Sequence, residues 1–167
     1  MVRFYLKQKV FSIGDSYKFL TEAQELVFKA KGSIFAIPKR YKLYDANKNF
    51  IGMAKKSFWT YNYTISFGGV KVIKIRWKFA FMTAKYSIEY LDGSRHLELK
   101  GDFADFHYQV LEDGKLAAAI SKKILSWGDT YEIDCDETLM KPALMALITI
   151  AIDDIYERRR KALNNNR

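Results

Sequence analysis

The stretch at residues 142–155, PALMALITIAIDDI, constrains the fold of this chain more than any other segment. Every residue at 143–152 except Thr149 is apolar, so a helix formed here has apolar side chains on all of its faces. A helix on a protein surface carries one apolar stripe, whereas a helix that is apolar all round must be surrounded. The run is too short to span a membrane, which takes about 20 residues. The segment therefore predicts a helix enclosed by the rest of the chain.

The residues before this segment predict many short strands joined by tight turns. Apolar and polar residues alternate along four segments, which is typical of antiparallel strands with one buried face. These segments are residues 61–67, 86–90, 96–100 and 106–110. Turn residues indicate two-residue hairpins or other tight connections. The candidate turns are Asn47-Lys48-Asn49, Gly68-Gly69, Asp92-Gly93 and Asp113-Gly114. We count about twelve candidate strands, at the spacing of a sandwich or barrel.

Strands followed by an all-round apolar helix predict a mainly β fold. We expect a closed antiparallel barrel of about twelve strands around a central hydrophobic C-terminal helix. Asp136, Glu137 and Thr138 offer acceptors suited to the helix N-terminus, and Pro142 is tolerated in a first turn. The helix is expected to run to about Lys161. With no linker in the sequence, we expect a single domain over residues 1–162 and a disordered tail over residues 163–167.

The charge of the chain indicates an anionic partner. There are 28 basic and 19 acidic residues, which give a formal net charge of +9. Such a charge attracts polyanions, for example an anionic membrane surface or nucleic acid, although it also suits an ordinary solvated surface. Cys135 is the only cysteine, which excludes an intrachain disulfide and fits a reducing compartment. Without a signal-peptide core, we expect a cytoplasmic protein, peripheral at the membrane.

The sequence carries no recognisable catalytic or metal-binding signature. His96 and His107 fall on polar strand faces, and no His, Cys and carboxylate residues have the spacing of a metal site. The acidic neighbours of Cys135 disfavour a reactive thiolate. We therefore expect no enzymatic activity, no cofactor and no metal. Asp153 and Asp154 mark either a polar site at the barrel mouth or the point where the helix emerges and its solvated end starts, and the second interpretation is favoured.

The basic segment at residues 70–79 gives the best binding signal. Lys74, Arg76 and Lys78 share its polar face, while the alternating apolar side chains face the core. We expect this face to bind anionic phospholipid headgroups, at roughly 1 kcal/mol for each basic residue near the surface. The alternatives are a solvated strand face, a nucleic-acid-binding or regulatory protein, and a small-ligand carrier. Further cations that extend the expected surface are Lys39, Arg40, Lys55 and Lys56.

The order of several motifs resembles that of a known family. A lysine pair at residues 122–123 is followed by SWGDTYEI at residues 126–133 and by ALMALITIAIDDI at residues 143–155. This order resembles the LURP-one-related family, whose fold is similar to the tubby C-terminal domain and the phospholipid scramblases. The early tracts LKQKVFSIGDSYKF, VFKAKGSIF and RYKLYD look like those of bacterial members. The resemblance covers about residues 4–156.

The resemblance implies a closed barrel of about twelve strands around a central hydrophobic C-terminal helix. Tubby-like domains are associated with phosphoinositide binding, membrane tethering and transcriptional regulation, and scramblases with phospholipid movement and calcium. The resemblance supplies no catalytic residues. The chain also departs from these relatives, because Asp134, Asp136 and Glu137 lack the spacing of a calcium loop. No apolar anchor follows the helix, so scramblase activity is not expected.

Overall fold

A computed structural model of the chain describes residues 1–8, 16–33, 35–78, 85–102, 107–125 and 128–164. Within these residues the chain forms twelve strands followed by one helix. The first six strands are β1 (Val2–Gln8), β2 (Ser16–Leu20), β3 (Leu26–Gly32), β4 (Arg40–Asp45), β5 (Phe50–Lys56) and β6 (Tyr63–Phe67). The remaining elements are β7 (Val70–Lys78), β8 (Lys85–Tyr90), β9 (Leu97–Asp102), β10 (His107–Glu112), β11 (Lys115–Leu125), β12 (Gly128–Cys135) and α1 (Pro142–Asn164).

The twelve strands form one antiparallel sheet that curls around α1 into a nearly closed barrel. Their order is β8-β7-β6-β5-β4-β3-β2-β1-β12-β11-β10-β9. Strands that follow each other along the chain are therefore neighbours, except that β1 pairs with β12 and that β8 and β9 are the two edges. The predicted architecture, a barrel of about twelve strands around a central C-terminal helix, is confirmed.

The core of the barrel is built around α1. All residues at 143–155 are buried, as the all-round apolar sequence predicts. The strands cover the helix with every second side chain. Tyr63 and Ile65 on β6, and Ile73 and Ile75 on β7, are fully buried. The alternation confirms the predicted faces within β6, β8, β9 and β10. Tyr61 and His96 of the predicted segments precede their strands, and residue 106 lies outside the described residues.

Most of the predicted turns are hairpin connections. Gly68-Gly69 joins β6 to β7, and both glycines have positive φ (58° and 84°), as the tight turn requires. Asp113-Gly114 joins β10 to β11, and the Asn47–Asn49 segment joins β4 to β5. The hairpin predicted at Asp92-Gly93 is wrong, because this turn connects the two edge strands, which are not neighbours in the sheet order.

Polar side chains tie the barrel where its two edge strands meet. Tyr90 on β8 donates a hydrogen bond from Oη to Oε2 of Glu112 on β10, at 3.2 Å. Arg95, in the β8–β9 connection, forms an ion pair with Glu112, and its guanidinium lies 4.8 Å from the centre of the Tyr90 ring. The carboxylate of Glu112 is buried, and the Arg95 guanidinium and the Tyr90 hydroxyl compensate its charge and satisfy its oxygens.

The start of α1 differs in detail from the prediction. Pro142 is the first helical residue, as expected, and the carbonyl of Lys141 accepts hydrogen bonds from the next helical N–H groups. Asp136 does not cap the helix. Its carboxylate accepts hydrogen bonds from the N–H and Oγ1 of Thr138 and closes a separate turn. The prediction that Asp136 lies at the helix N-terminus is wrong, because an Asp side chain stabilises a local turn as readily as a helix start.

The other end of α1 lies at Asn164, beyond the predicted end near Lys161. Residues 165–167 of the predicted tail lie outside the described residues. The single domain over residues 1–162 and the disordered tail over residues 163–167 stay predictions.

The sheet and the helix approach each other closely at Gly52. A Cβ atom added there would lie 2.6 Å from the backbone oxygen of Ser66 on β6 and 3.0 Å from Cδ1 of Leu147 on α1. The Ser66 oxygen belongs to the sheet backbone, so it cannot move without disturbing the pairing of β5 with β6. Glycine at this position therefore allows α1 to sit against β5.

We predict that Gly52→Ala lowers the free energy of unfolding by about 1–3 kcal/mol, because the added methyl group overpacks the contact between β5 and α1. Urea denaturation followed by circular dichroism measures the change. Ser66→Ala, which alters an outward-facing side chain of the neighbouring strand, is the control and should change stability by less than about 0.5 kcal/mol. An alanine variant as stable as the wild type would contradict the close approach.

Candidate functional site

α1 leaves the barrel at the end where β4 and β6 begin and where β5 ends. We call this end the mouth, and the opposite end, where α1 begins, the base. The strand ends at the mouth are tied together, because the N–H of Lys56 donates a hydrogen bond to the carbonyl of Lys39 at 2.9 Å. The polar side chains gathered around the emerging helix are those of Lys39, Tyr41, Lys56, Tyr63, Asp154 and Arg158.

Two buried carboxylates fix α1 at the mouth. Oδ2 of Asp153 accepts a hydrogen bond from Tyr17 Oη at 2.7 Å. Oδ1 of Asp154 accepts one from Tyr41 Oη at 2.5 Å, and its Oδ2 accepts one from Tyr63 Oη at 2.7 Å. These tyrosines project inward from β2, β4 and β6, so three strands hold adjacent residues of the helix.

The favoured interpretation of Asp153 and Asp154, the start of a solvated helix end, is therefore wrong. Their exposed fractions are 1% and 5%, and the helix is still inside the barrel at this point. The geometry supports the other interpretation, a polar site at the barrel mouth. The sequence pattern misled because a pair of acidic residues after an apolar run usually marks the return to solvent, and nothing in it shows which tyrosines face them.

Asp154 is ionised and strongly paired. Burial opposes its ionisation, but hydrogen bonds from Arg158, Tyr41 and Tyr63 outweigh burial and hold its pKa below the ordinary value. The Arg158 Nε donates to Asp154 Oδ2 at 2.5 Å, and the Lys39 Nζ lies 3.6 Å from Oδ1. The same surroundings raise the hydroxyl pKa values of Tyr41 and Tyr63, first through burial and then through the charge of Asp154.

Three cations lie around Asp154 at the mouth. Arg158 and Lys39 share that carboxylate, and Lys56 is a third cation with no ion pair to a described acidic side chain. Burial and the repulsion from Arg158 lower the pKa of Lys56. Burial also lowers the pKa of Lys39, although the nearby carboxylate of Asp154 opposes this. Poorly hydrated ammonium groups that repel a neighbouring cation would be stabilised by a bound anion.

Part of the predicted basic surface runs from the mouth along the outside of the sheet. Cross-strand register places Lys74 opposite Thr64, Thr64 opposite Lys55, and Lys55 opposite Arg40. These residues form one row across four neighbouring strands, with strands about 4.8 Å apart. The Nε of Arg40 is buried without a hydrogen-bond partner among the described residues. We call Arg40, Lys55 and Lys74 the outer row.

The predicted site residues thus fall into separate groups. Lys39 and Lys56 point into the mouth, and Arg40, Lys55 and Lys74 lie in the outer row next to it. Arg76 also lies on the outer face of β7, where its Nη1 forms an ion pair with Glu89 Oε1 at 2.6 Å. The side chain of Lys78 lies outside the described residues.

The described residues show no sign of catalytic or metal chemistry. His96 and His107 are exposed, as predicted. Cys135 is buried, and burial together with Glu137 and Asp136 raises its thiol pKa to about 12, which disfavours a thiolate. The described part of the chain contains no group of three or more His, Cys, Asp or Glu side chains that could hold a metal ion.

A cavity of about 460 Å³ lies at the base of the barrel, on the far side of the molecule from the mouth. It is open to solvent and is lined by apolar side chains of the β6–β7 hairpin and of the start of α1, including Phe67, Val72 and Leu144. The charged residues that line it are Lys71, Asp92, Arg95, Glu137 and Lys141. Both signs of charge therefore face the cavity.

Comparison with known proteins agrees with this fold. A family model described as LURP-one-related matches residues 2–153, from the first strand to well inside α1. The chain belongs to the LURP-one-related family. Its resemblance to this family, first indicated by the order of motifs, is confirmed. Membership of this family identifies no catalytic residue in the chain.

Two relatives illustrate what is known of such chains. The uncharacterized protein YxjI of Bacillus subtilis (strain 168) is 28% identical over 135 residues, which are 80% of this chain and 81% of YxjI. An X-ray structure of a protein from Arabidopsis thaliana matches with a TM-score of 0.67 at 13% identity, and the match covers 92% of this chain and 91% of that one. The Arabidopsis structure supports the fold alone. In the described residues of our LURP-one-related chain, no helix has the length and hydropathy of a membrane span.

Sequence reasoning missed Arg158 and the inward tyrosines. Arg158 belongs to a basic run that suits the C-terminal end of any helix, so its contact with Asp154 gave no separate signal. Tyr41 and Tyr63 alternate with polar residues as core side chains do, and their hydroxyl partners lie about a hundred residues further along the chain. The signal that the sequence did offer for this site is an acidic pair directly after the apolar run, in a chain with several tyrosines at core positions of its strands.

We predict that Asp154→Asn lowers the free energy of unfolding by about 3 kcal/mol at neutral pH, because it leaves Arg158 and Lys39 without their shared carboxylate. The folded-state pKa of Asp154 is below the ordinary value of 3.8, so the stabilisation is present above pH 4 and is lost as the pH falls through that lower pKa. The stability difference between variant and wild type should therefore narrow in acid. Denaturant titrations at several pH values measure it.

The matched control for this prediction is Glu98→Gln. Glu98 forms an exposed ion pair with Lys100 at 3.2 Å, and such pairs contribute little. This variant should stay within about 0.5 kcal/mol of the wild type at every pH. A loss in Asp154→Asn that is no larger than in Glu98→Gln would contradict the assigned role of Asp154.

Proposed function

We propose that this LURP-one-related chain is a non-enzymatic binding domain that recognises anionic phospholipid headgroups at a membrane surface. The observation that carries the proposal is the group of cations at the mouth, where Lys39, Lys56 and Arg158 lie around the carboxylate of Asp154. A phosphate group placed beside Lys56 would reduce its repulsion from Arg158 and would supply acceptors for both side chains.

The outer row extends this site over the neighbouring strands. Lys55 is exposed, and neither it nor Arg40 forms an ion pair with a described acidic side chain. Lys74 contributes less, because it lies directly opposite Glu89. Basic residues near an anionic bilayer each contribute roughly 1 kcal/mol, and salt screens this attraction. The site that we propose therefore consists of the mouth cations and of Arg40 and Lys55, with Arg76 outside it.

The alternative functions have weaker support. A small-ligand carrier needs an enclosed interior cavity, but α1 fills the barrel and the cavity at the base is open. Nucleic acid shares the phosphate chemistry of lipid headgroups, so it is included as a competing ligand in the test below. An enzyme would need reactive groups, and the mouth holds hydroxyls whose pKa values are raised rather than lowered.

We predict that Lys55→Gln/Lys56→Gln weakens binding to phosphatidylserine–phosphatidylcholine vesicles about 10–30-fold at low salt, because two cations are lost from the site. Co-sedimentation with vesicles at low and physiological salt measures the affinity. The matched control is Lys71→Gln/Lys115→Gln, which removes the same charge from two exposed lysines at the base and should bind nearly as wild type does.

Two results would contradict the proposal. One is equal weakening by both double variants, which would make the attraction a property of net charge alone. The other is binding to single-stranded DNA at physiological salt in the absence of vesicle binding, which would favour the nucleic-acid alternative.

A further inference from the structure

Two loops at the mouth, carried by neighbouring strands, expose large apolar side chains. The β3–β4 loop, residues 33–39, carries Phe35 and Ile37, which are 93% and 79% exposed. The β5–β6 loop, residues 57–62, carries Phe58 and Trp59, which are 53% and 88% exposed. The strands that support these loops are neighbours in the barrel, and the hydrogen bond from Lys56 to Lys39 joins the bases of the two loops. We call these four side chains the apolar tip.

The loops that present the apolar tip are pinned at their bases. In the β5–β6 loop, the N–H of Ser57 donates to the carbonyl of Asn62 at 2.8 Å, and Asn62 Oδ1 accepts from the N–H of Trp77 on β7 at 3.2 Å. In the β3–β4 loop, the N–H of Ser33 donates to the carbonyl of Arg40 at 2.8 Å, and the Arg40 N–H donates back to Ser33 Oγ at 3.1 Å. The bases of both loops are therefore fixed by hydrogen bonds between backbone groups and from backbone N–H groups to side-chain oxygens.

The apolar tip differs from the other exposed apolar residues of the described chain. Of those at the base, Val70 begins β7, Leu91 follows β8 and Leu116 lies on β11, so they do not share one loop. Single exposed apolar side chains are ordinary on protein surfaces, whereas a contiguous apolar patch rimmed by polar groups marks a binding surface. Phe58 and Trp59 also contact each other, with ring centres 4.5 Å apart, so their loop presents one aromatic unit.

The surroundings of the apolar tip identify its partner. The same two loops are flanked by Lys39, Arg40, Lys55 and Lys56, and Lys56 Nζ lies 5.6 Å from the centre of the Tyr61 ring. Exposed aromatic residues surrounded by cations match an anionic bilayer, which offers an apolar interior beneath phosphate groups. Tryptophan in particular is enriched at the interface between lipid and water. A protein partner would need its own apolar patch ringed with acidic groups.

We propose that the apolar tip inserts into the interface of a lipid bilayer, so that the barrel stands on the membrane with its mouth facing the lipid. This inference rests on the proposed function, because the cations of the mouth would supply the attraction that brings the tip to the surface. It adds that binding includes burial of Phe35, Ile37, Phe58 and Trp59 among lipid groups. The base of the barrel, with its own exposed residues, then faces away from the membrane.

Trp59 makes the proposal directly measurable. The chain has three tryptophans, so Trp77→Phe/Trp127→Phe leaves Trp59 as the sole indole. The fluorescence of this protein is recorded with phosphatidylserine–phosphatidylcholine vesicles, with and without bromine atoms on the lipid acyl chains. We expect the Trp59 emission to shift to shorter wavelength on binding and to be quenched by the brominated lipids, since an inserted indole lies near the acyl chains.

Variants of the apolar tip provide the second arm. Phe58→Ser/Trp59→Ser should weaken co-sedimentation with the same vesicles by roughly tenfold or more while circular dichroism stays unchanged, because both side chains are exposed in the free protein. Val70→Ser, which removes an exposed apolar side chain at the base, is the matched control and should bind as wild type does.

The outcomes separate this inference from the proposed function. Binding to anionic vesicles without any shift or quenching of Trp59, and with full affinity in Phe58→Ser/Trp59→Ser, overturns tip insertion and leaves headgroup recognition intact. Insertion of Trp59 with equal affinity for neutral phosphatidylcholine vesicles supports tip insertion but overturns anionic recognition. No binding of the wild type to either vesicle at low salt overturns both.

Discussion

The hydrogen bonds between three inward tyrosines and the two carboxylates of α1 set the position on which the rest of this structure depends. An apolar helix inside an apolar barrel has no directional contact that fixes its position along the barrel axis, and a shift by one turn would move it by about 5.4 Å. Asp153 and Asp154 remove that freedom, because a shifted helix would lose their buried hydrogen bonds from Tyr17, Tyr41 and Tyr63. The same contacts decide which helical residues emerge at the mouth.

The two ends of the barrel differ because their charges are balanced differently. Near the base, buried Glu112 is matched by Arg95 and Tyr90, so the seam between the edge strands is compensated internally. At the mouth, Asp154 is shared among cations, and Lys56 is left without an acidic partner in the described chain. The exposed apolar tip stands beside these cations. A surface with several cations and unburied aromatic residues is suited to a bilayer.

The overall fold could be predicted from the sequence, but the chemistry of the mouth could not. The all-round apolar run before Ile155 requires enclosure, and regular alternation along the strands provides the cover, so both local patterns point to the same barrel. The hairpin predicted at Asp92-Gly93 is wrong, because a turn dipeptide does not show whether the strands on either side of it pair or lie at opposite edges of the sheet. Asp154 was misjudged for a related reason, since its partners Tyr41 and Tyr63 are distant in sequence and only the register of the folded barrel brings them together.

The most direct test of the account is amide hydrogen exchange of the wild-type protein with and without anionic vesicles. If the mouth faces the membrane, vesicles should slow exchange in the loops at residues 33–39 and 57–62 and leave the base turns at residues 91–96 and 113–114 unchanged. Slower exchange at the base turns, or no change in either mouth loop under conditions where the protein is vesicle-bound, would contradict it.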